Sequence, residues 1–386
     1  MPDEPFPTFR VGTPNDMLAL GAWLAGLLVP GDLVVLAGPL GAGKTVLVSG
    51  IAAGLGSAER VTSPTFVLVH EHRDGKAPLL HVDAYRLSRP AEVADLDLDL
   101  DSSVTAVEWG EGLVEDFGAG LPSGHLLVRI QRPVGVGGGV GEGADEERTV
   151  ALEPGTPAWA ARLRRVVALA PAAVLFDLDG VLADSTAAVE RHWIQFAERH
   201  GMDPGTVLAG AHGRRSVDHV AELLAGAPPD YIAAENVLVE QIEVEDNEGV
   251  TGLPGAAALW AALDAGRPGA PVAVVTSGTM ALARARLGIA GLAVPSVLVT
   301  ADDVTAGKPD PQGYERAAHL LGAATGECLV VEDSTAGVEA GRAAGSSVLG
   351  LLTTHSAADL GAADRVAEDL SAVLALDGRL WVRTLG

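Results

Sequence analysis

The sequence predicts an α/β protein made of two successive parallel-sheet units, and three observations carry that prediction. Apolar strand-like runs at residues 33–37 (LVVLA) and 173–176 (AVLF) each lead directly into a loop rich in glycine or carboxylate, GPLGAGKT at 38–45 and DLDGV at 177–181. Strand, loop and helix in succession are the repeating unit of parallel sheets. The 386 residues exceed what one core usually organises, since domains run to roughly 150 residues. The composition, 48% hydrophobic and 20% charged with mean hydropathy +0.27, is too apolar for a chain that stays disordered.

From the N-terminus, residues 1–10 (MPDEPFPTFR) are acidic and proline-bearing where a secretory leader would be basic and then apolar, so a cytoplasmic protein is expected. The uncharged stretch 17–31 contains Gly and Pro and falls short of the roughly 18–20 residues of a membrane span; residues 17–29 read as a packed helix, and no membrane partner is expected. Cys328 is the only cysteine, which excludes an internal disulfide or a cysteine metal cluster and leaves it as a small core residue. Against 51 Asp and Glu stand 26 Lys and Arg, a net charge of −25. Such a field repels phosphate backbones, so strong direct nucleic-acid binding is not expected. Only Lys44, Lys76 and Lys308 among the 26 cations are lysine, and two of them fall in the motifs below, where a compact ammonium suits a phosphate better than a planar guanidinium.

Residues 38–45 fit G-x-x-x-x-G-K-S/T between the strand at 33–37 and a helical run at 46–54. Gly38, Gly41, Ala42 and Gly43 let backbone N–H groups wrap a phosphate, and the helix N-terminus adds a favourable dipole. Lys44 reaches the β and γ phosphates, and the hydroxyl of Thr45 suits Mg²⁺, which prefers oxygen ligands. Two further strand-like runs, LLHVD at 79–83 and VTAVE at 104–108, end in acids, so Asp83 and Glu108 are the candidates for the carboxylate that positions that metal, with a helix cap or a surface charge as the alternative for each. GAGKT, SPTF at 63–66, HVDAYRL at 81–87 and VEWGE at 107–111, in this order, resemble the TsaE family over about residues 8–168. The resemblance implies a P-loop ATPase of the pathway that makes threonylcarbamoyladenosine beside the anticodon of tRNA. It implies Lys44 and Thr45 at ATP and Mg²⁺, Thr65 in a switch-like loop, Asp83 as the magnesium-linked acid, Glu108 and Trp109 at the nucleotide, and turnover dependent on the partner proteins TsaB and TsaD. Pro39 and Val46 depart from many members, which carry an acid and a second Thr there.

Residues 134–144 are glycine-rich, but strand-like runs at 126–132 and 147–153 flank them, so they read as a loop joining neighbouring strands of the first domain. A helix is expected over 157–169, and the acidic alternation at 95–101 (DLDLDLD) reads as an exposed edge or loop. The expected organisation is residues 1–168 as the first domain, 169–171 as a linker and 172–386 as the second.

In the second unit Asp177 and Asp179 point to the same side at a strand's C-terminal end, where α/β sheets bind ligands. One carboxylate can attack phosphorus while the other protonates the leaving oxygen, with Mg²⁺ screening the repulsion. Three more pieces follow apolar runs: VAVVTS at 272–277, GKPDP at 307–311 and LVVEDS at 329–334. Ser277, with Thr276 as its neighbouring alternative, and Lys308 would hold the transferring group; Asp177, Asp179 and Asp333 would bind the metal with Glu332 behind Asp333. The ordered set resembles the haloacid dehalogenase (HAD) superfamily over about residues 171–386, and the second aspartate is the mark of its phosphatase and phosphomutase branches. The resemblance implies a HAD Rossmann-like domain with an α-helical cap at about 185–254. Within the cap, HGRR at 212–215 is similar to a loop of sugar- and glycerol-phosphate phosphatases, which implies His212, Arg214 and Arg215 at a small phosphorylated metabolite; an exposed basic turn is the alternative.

The combined expectation is a fusion of an N-terminal P-loop NTPase sheet domain with a C-terminal HAD phosphatase. Three rivals remain at this stage. A polynucleotide kinase-phosphatase would need a basic groove and an arginine-bearing lid, which residues 83–108 do not supply. The second half could be a sugar phosphomutase, and the first half could be a nucleotide-gated assembly module rather than an autonomous enzyme.

Overall fold

The computed structural model describes residues 6–385 apart from 65–66, 116–119, 122, 133–146, 210, 212 and 265–268. The chain divides into two compact units, Met1–Ala168 with Leu380–Arg383 and Leu169–Arg379 with Thr384–Gly386.

The first unit opens with β1 (Thr8–Val11) and α1 (Pro14–Ala25). Thr13 and Asp16 form a reciprocal capping box and Pro14 occupies the first turn, so the helix starts earlier than the apolar pattern at 17–29 suggests; it stops at Gly26. There follow β2 (Leu33–Ala37), α2 (Lys44–Gly54), β3 (Val69–His72), β4 (Leu79–Asp83), α3 (Pro90–Ala94), β5 (Val104–Glu108), β6 (His125–Gln131), β7 (Arg148–Pro154), α4 (Pro157–Leu163) and β8 (Val166–Leu169). Helices α1 and α2 meet at backbone distance: a Cβ on Gly21 would lie 2.3 Å from the carbonyl of Leu47.

The seven-stranded sheet runs β1-β7-β6-β2-β5-β4-β3, with β6, β2, β5 and β4 parallel. Strands β2, β4 and β5 are buried throughout, as parallel strands covered on both faces must be. Register sets Leu36 beside Glu108 and Glu108 beside Asp83, so the glycine loop and both acids share one sheet edge. Strands β6 and β7 pair antiparallel, as their flanking positions suggested; the glycine-rich segment between them lies outside the described residues. The helix expected over 157–169 is only α4, followed by the β-branched run of β8. Residues 95–101 are loop, with Asp95, Asp97 and Asp99 exposed.

The second unit is built on a parallel six-stranded sheet. Its elements are β9 (Ala173–Phe176), β10 (Ala183–Asp184), α5 (Thr186–His200), α6 (Pro204–Leu208), α7 (Ser216–Leu223), α8 (Pro229–Glu245), β11 (Thr251–Gly252), α9 (Ala256–Asp264), β12 (Val272–Val275), α10 (Met280–Ile289), β13 (Val297–Val299), α11 (Gln312–Leu321), β14 (Cys328–Glu332), α12 (Thr335–Ala343), β15 (Ser347–Leu351) and β16 (Arg365–Ala367). The order is β13-β12-β9-β14-β15-β16, which puts β9 at the centre. Helices α5 to α8 form a cap with its own core of Trp193, Phe196, Val207, Val220 and Val239. The β10–β11 ribbon closes its root, pairing Ala183 with Gly252. Cys328 is buried in the core of the sheet.

Candidate active sites

In the first unit the loop after β2 forms a closed cradle. Gly38 has φ +150, and a Cβ there would meet the carbonyl of Ile130 at 2.4 Å; Gly43, with φ +105, caps α2. Only glycine fits such positions. Between them Gly41 is also left-handed, at φ +73, and Ala42 donates its N–H to the carbonyl of Pro39. Lys44 Nζ donates to the carbonyls of Gly38 (2.9 Å) and Pro39 (3.1 Å) and lies 3.4 Å over the Trp109 ring. Burial pulls its pKa down, against the opposing pull of Glu108 and Asp83. Thr45 Oγ1 donates to Glu108 Oε1 at 2.7 Å, and the same oxygen meets His81 Nε2 at 2.9 Å. Asp83 accepts from Ser63 Oγ at 3.2 Å and from the Tyr85 N–H at 3.0 Å.

The structure therefore brings Lys44, Thr45, Asp83, Glu108 and Trp109 together, whereas Thr65 lies outside the described residues. His81 was missed as a site residue: it is fully buried and braces Glu108. A polar residue two positions before the acid in an otherwise apolar strand was the available signal. Beside the loop an open hollow of about 640 Å³ is lined by Gly38, Trp109, Glu111, Arg129 and Arg132. Arg129 is paired with Glu153 (2.8 Å) and Glu111 (2.9 Å).

In the second unit Asp177 follows β9, Lys308 lies in the loop before α11, and Glu332 ends β14. Lys308 Nζ lies 2.8 Å from Asp177 Oδ1 and 2.6 Å from Glu332 Oε1. Both Glu332 oxygens are committed: Oε1 accepts from Lys308 and Tyr314, and Oε2 from the N–H groups of Asp333 and Ser334 and the Ser334 hydroxyl. Burial would lower the Lys308 pKa, but the two carboxylates overcome it and hold the ammonium well above its ordinary value. Burial pushes Asp177 up, with Lys308 opposing and Glu332 adding to the rise. Asp333 is raised by burial and then by the charges of Glu332 and Asp177.

Ligand oxygens of Asp177, Glu332 and Asp333 all lie within 4.8 Å of one another. A hard, all-oxygen donor set crowded by mutual repulsion fits Mg²⁺. Asp177 and Asp333 are the members with oxygens to give, because Glu332 already accepts five hydrogen bonds. The Asp179 carboxylate stands apart from this cluster: Arg286 Nη1 is 2.5 Å from it and Ser185 Oγ donates to it at 2.7 Å. Gly180, at φ +74, leaves room for Asp333, whose Oδ2 would be 1.9 Å from a Cβ.

A small cavity, partly open to solvent, lies in front of Asp177 and Asp179 and is bounded by the cap. Thr276 and Ser277 both line it; Ser277 Oγ donates to the Gly213 carbonyl, and Thr276 Oγ1 accepts from the Gly278 N–H. Arg214 reaches the cavity while paired with Glu222 at 2.7 Å. Arg215, expected at the substrate, is absent from this wall but lines a second hollow together with Thr276, Ser277 and Lys308. It pairs with Asp218 and donates to the carbonyls of Val304 and Thr305, tying the cap to the core. Its place at the N-cap of α7 aims it differently from its neighbour. His212 lies outside the described residues. Arg286, Glu243 and Tyr314 were missed, since nothing local in the sequence marks them.

Residues 11–134 match the family described as threonylcarbamoyl adenosine biosynthesis protein TsaE, and residues 171–345 match haloacid dehalogenase-like hydrolase. The first half is 50% identical over 149 residues to the tRNA threonylcarbamoyladenosine biosynthesis protein TsaE of Streptomyces coelicolor, covering 37% of this chain and 94% of that protein. The second is 47% identical over 199 residues to hexitol phosphatase A of Escherichia coli, covering 52% of this chain and 91% of that protein. The chain belongs to the TsaE family in its first half and to the haloacid dehalogenase-like hydrolases in its second. The second, HAD half is also 38% identical over 205 residues to a validoxylamine A 7'-phosphate phosphatase of Streptomyces hygroscopicus, covering 52% of this chain and 94% of that protein. The TsaE–HAD fusion is thus an enzyme, with a P-loop ATPase half and a hydrolase half. Among the described residues no helix is long and apolar enough to cross a membrane.

Proposed function

We propose that the HAD half of the fusion hydrolyses the phosphate monoester of a small polyol or sugar, and that the TsaE half binds and turns over ATP as a subunit in tRNA threonylcarbamoyladenosine modification. The observation that carries the first reading is the division of labour between the two aspartates. Asp177 is buried against Lys308 at the strand end, and Asp179 is held apart by Arg286 on the cavity wall. Asp177 Oδ attacks phosphorus to form an acyl phosphate as the ester oxygen leaves. Asp179 gives that oxygen its proton and then takes one from the water that opens the acyl phosphate, returning both carboxylates to their starting state. Lys308 and the hydroxyl of Ser277 or Thr276 orient the phosphoryl oxygens. Mg²⁺ held by Asp177 and Asp333 would supply screening between anionic nucleophile and anionic ester. The names of the relatives, hexitol phosphatase A among them, favour hydrolysis of a polyol phosphate over transfer within a sugar.

In the TsaE half, the cradle at 38–45 takes the phosphates, with Lys44 leaving the Gly38 and Pro39 carbonyls to meet them. Thr45 and Asp83 would hold Mg²⁺ with Glu108 acting at the nucleotide, and TsaB- and TsaD-type proteins are the partners. The excess of acidic groups, −25 overall, suits a subunit that leaves the grip on tRNA to those partners. The test is a pair of variants in the full chain. Asp177→Asn should lower phosphate release from a hexitol phosphate by at least about 10³-fold without changing ATP binding, and Lys44→Ala should do the converse. Retention of the targeted activity by either variant rejects that half of the proposal.

A further inference from the structure

The cavity in front of Asp177 has two polar wall residues, Glu243 and Ser216, that the phosphoryl chemistry leaves unused. Glu243, in the last turn of α8, and Ser216, the first residue of α7, line it from the cap, and Arg286, on α10, lines it from the core. Glu243 and Arg286 are both buried. Glu243 Oε2 accepts from Ser216 Oγ at 3.0 Å, and no other hydrogen-bond partner of that carboxyl is present among the described residues. Arg286 spends one amine on Asp179, while its buried Nε has no partner among the described residues.

Burying polar groups with unmet hydrogen-bonding capacity costs free energy. Here the cost is visible: burial pushes the Glu243 carboxyl up to about 7, with Arg286 and Ser216 offsetting it only in part. A leucine in the cap at this place would be cheaper for folding. Glu243, Ser216 and Arg286 all line this one cavity.

We propose that Glu243 and Ser216, with Arg286 lining the same cavity, form a hydroxyl-reading subsite that selects polyol phosphates by the end remote from phosphorus. The proposal rests on the phosphatase reading above and specifies its substrate class. A polyol hydroxyl supplies an O–H donor to the Glu243 carboxylate, whose only other hydrogen-bond partner among the described residues is Ser216. An aryl or alkyl ester of similar size supplies no such donor and leaves the Glu243 carboxyl with Ser216 alone. Sites built this way discriminate strongly against analogues that lack the hydroxyl.

The experiment compares kcat/KM for D-sorbitol 6-phosphate with that for phenyl phosphate in the full-length chain and in the variants Glu243→Gln, Glu243→Leu and Ser216→Ala. The wild-type chain should favour the polyol ester. The ratio should fall at least tenfold in Glu243→Leu and at least threefold in Ser216→Ala, mainly through KM for the polyol ester, with Glu243→Gln in between. A ratio that stays within twofold of wild type in the folded variants overturns the subsite. Ser216→Ala removes one hydroxyl at a helix start, so it decides the matter even if a Glu243 variant fails to fold. A wild-type chain that cleaves phenyl phosphate but not the polyol ester refutes the subsite and leaves the phosphatase reading standing. One that cleaves neither refutes both.

Discussion

Replacing Glu332 by Gln changes one atom in the most densely bonded side chain of the second unit, and the cost can be worked out from its partners. Oε1 accepts from Lys308 at 2.6 Å and Tyr314 at 2.7 Å; Oε2 accepts from the N–H groups of Asp333 and Ser334 at 3.0 and 3.2 Å and from the Ser334 hydroxyl at 3.0 Å. The Tyr314 and Ser334 hydroxyls can rotate to accept from an amide. An ammonium and two backbone N–H groups cannot. Whichever way the new amide points, at least one such donor faces another donor, and Lys308 keeps only Asp177 as a counter-charge. Breaking a buried ion pair from one side costs about 3–5 kcal/mol. Exchange of the Val330 and Val331 amides, in a strand buried throughout, reports opening of this unit without requiring the whole chain to unfold in one step. At about 1.4 kcal/mol per decade, their exchange should accelerate by roughly a hundredfold to several thousandfold. An acceleration below about tenfold would refute the reasoning, because the Glu332 network would then be decoration around a site held by other contacts.

Gly180→Ala introduces a Cβ at φ +74, with Asp333 Oδ2 only 1.9 Å away; phosphate release should fall by about a hundredfold or more, with CD showing a folded protein, since the clash falls on a carboxylate proposed to hold Mg²⁺. For Glu243 the sign with pH is the reverse of the usual acid. Its folded value of about 7 lies above the ordinary 4.5, so stability is lost as pH rises from 4.5 through 7, by an amount on the order of 3 kcal/mol. Glu243→Gln should therefore raise the calorimetric Tm of the second unit at pH 8 and leave it nearly unchanged at pH 4; an equal shift at both pH values would show that the carboxyl is not the source.

Legibility followed the range of the interaction. The cradle at 38–45 and the aspartates at 177 and 179 are local patterns: a glycine where φ must be positive, a lysine one position past it, two acids two residues apart at a strand end. Each could be read because its physical requirement is met within a few residues. Strands β6 and β7 were likewise recoverable, from apolar alternation on both sides of a glycine-rich stretch. Helix α4 was overextended because residues 166–169 (VVAL) are apolar in either conformation, and only their place in the structure makes them strand. Arg214 and Arg215 show the opposite limit: adjacent and chemically identical, they diverge because one side chain faces the cavity while the other reaches the carbonyls at 304 and 305.

Reading the residues in order was enough to say that this chain handles phosphoryl groups twice, because loop conformations and strand-end carboxylates are encoded by short-range sterics and charge. Which partner each charged group receives was decided by folding alone. Lys308 meets Glu332 across 24 residues, and Arg286 meets Asp179 across more than 100. Those pairings depend on strand order and helix packing, which no local spacing records, and the burial that shifts the ionisation of Asp177 and Glu243 exists only once sheet and cap have closed around them.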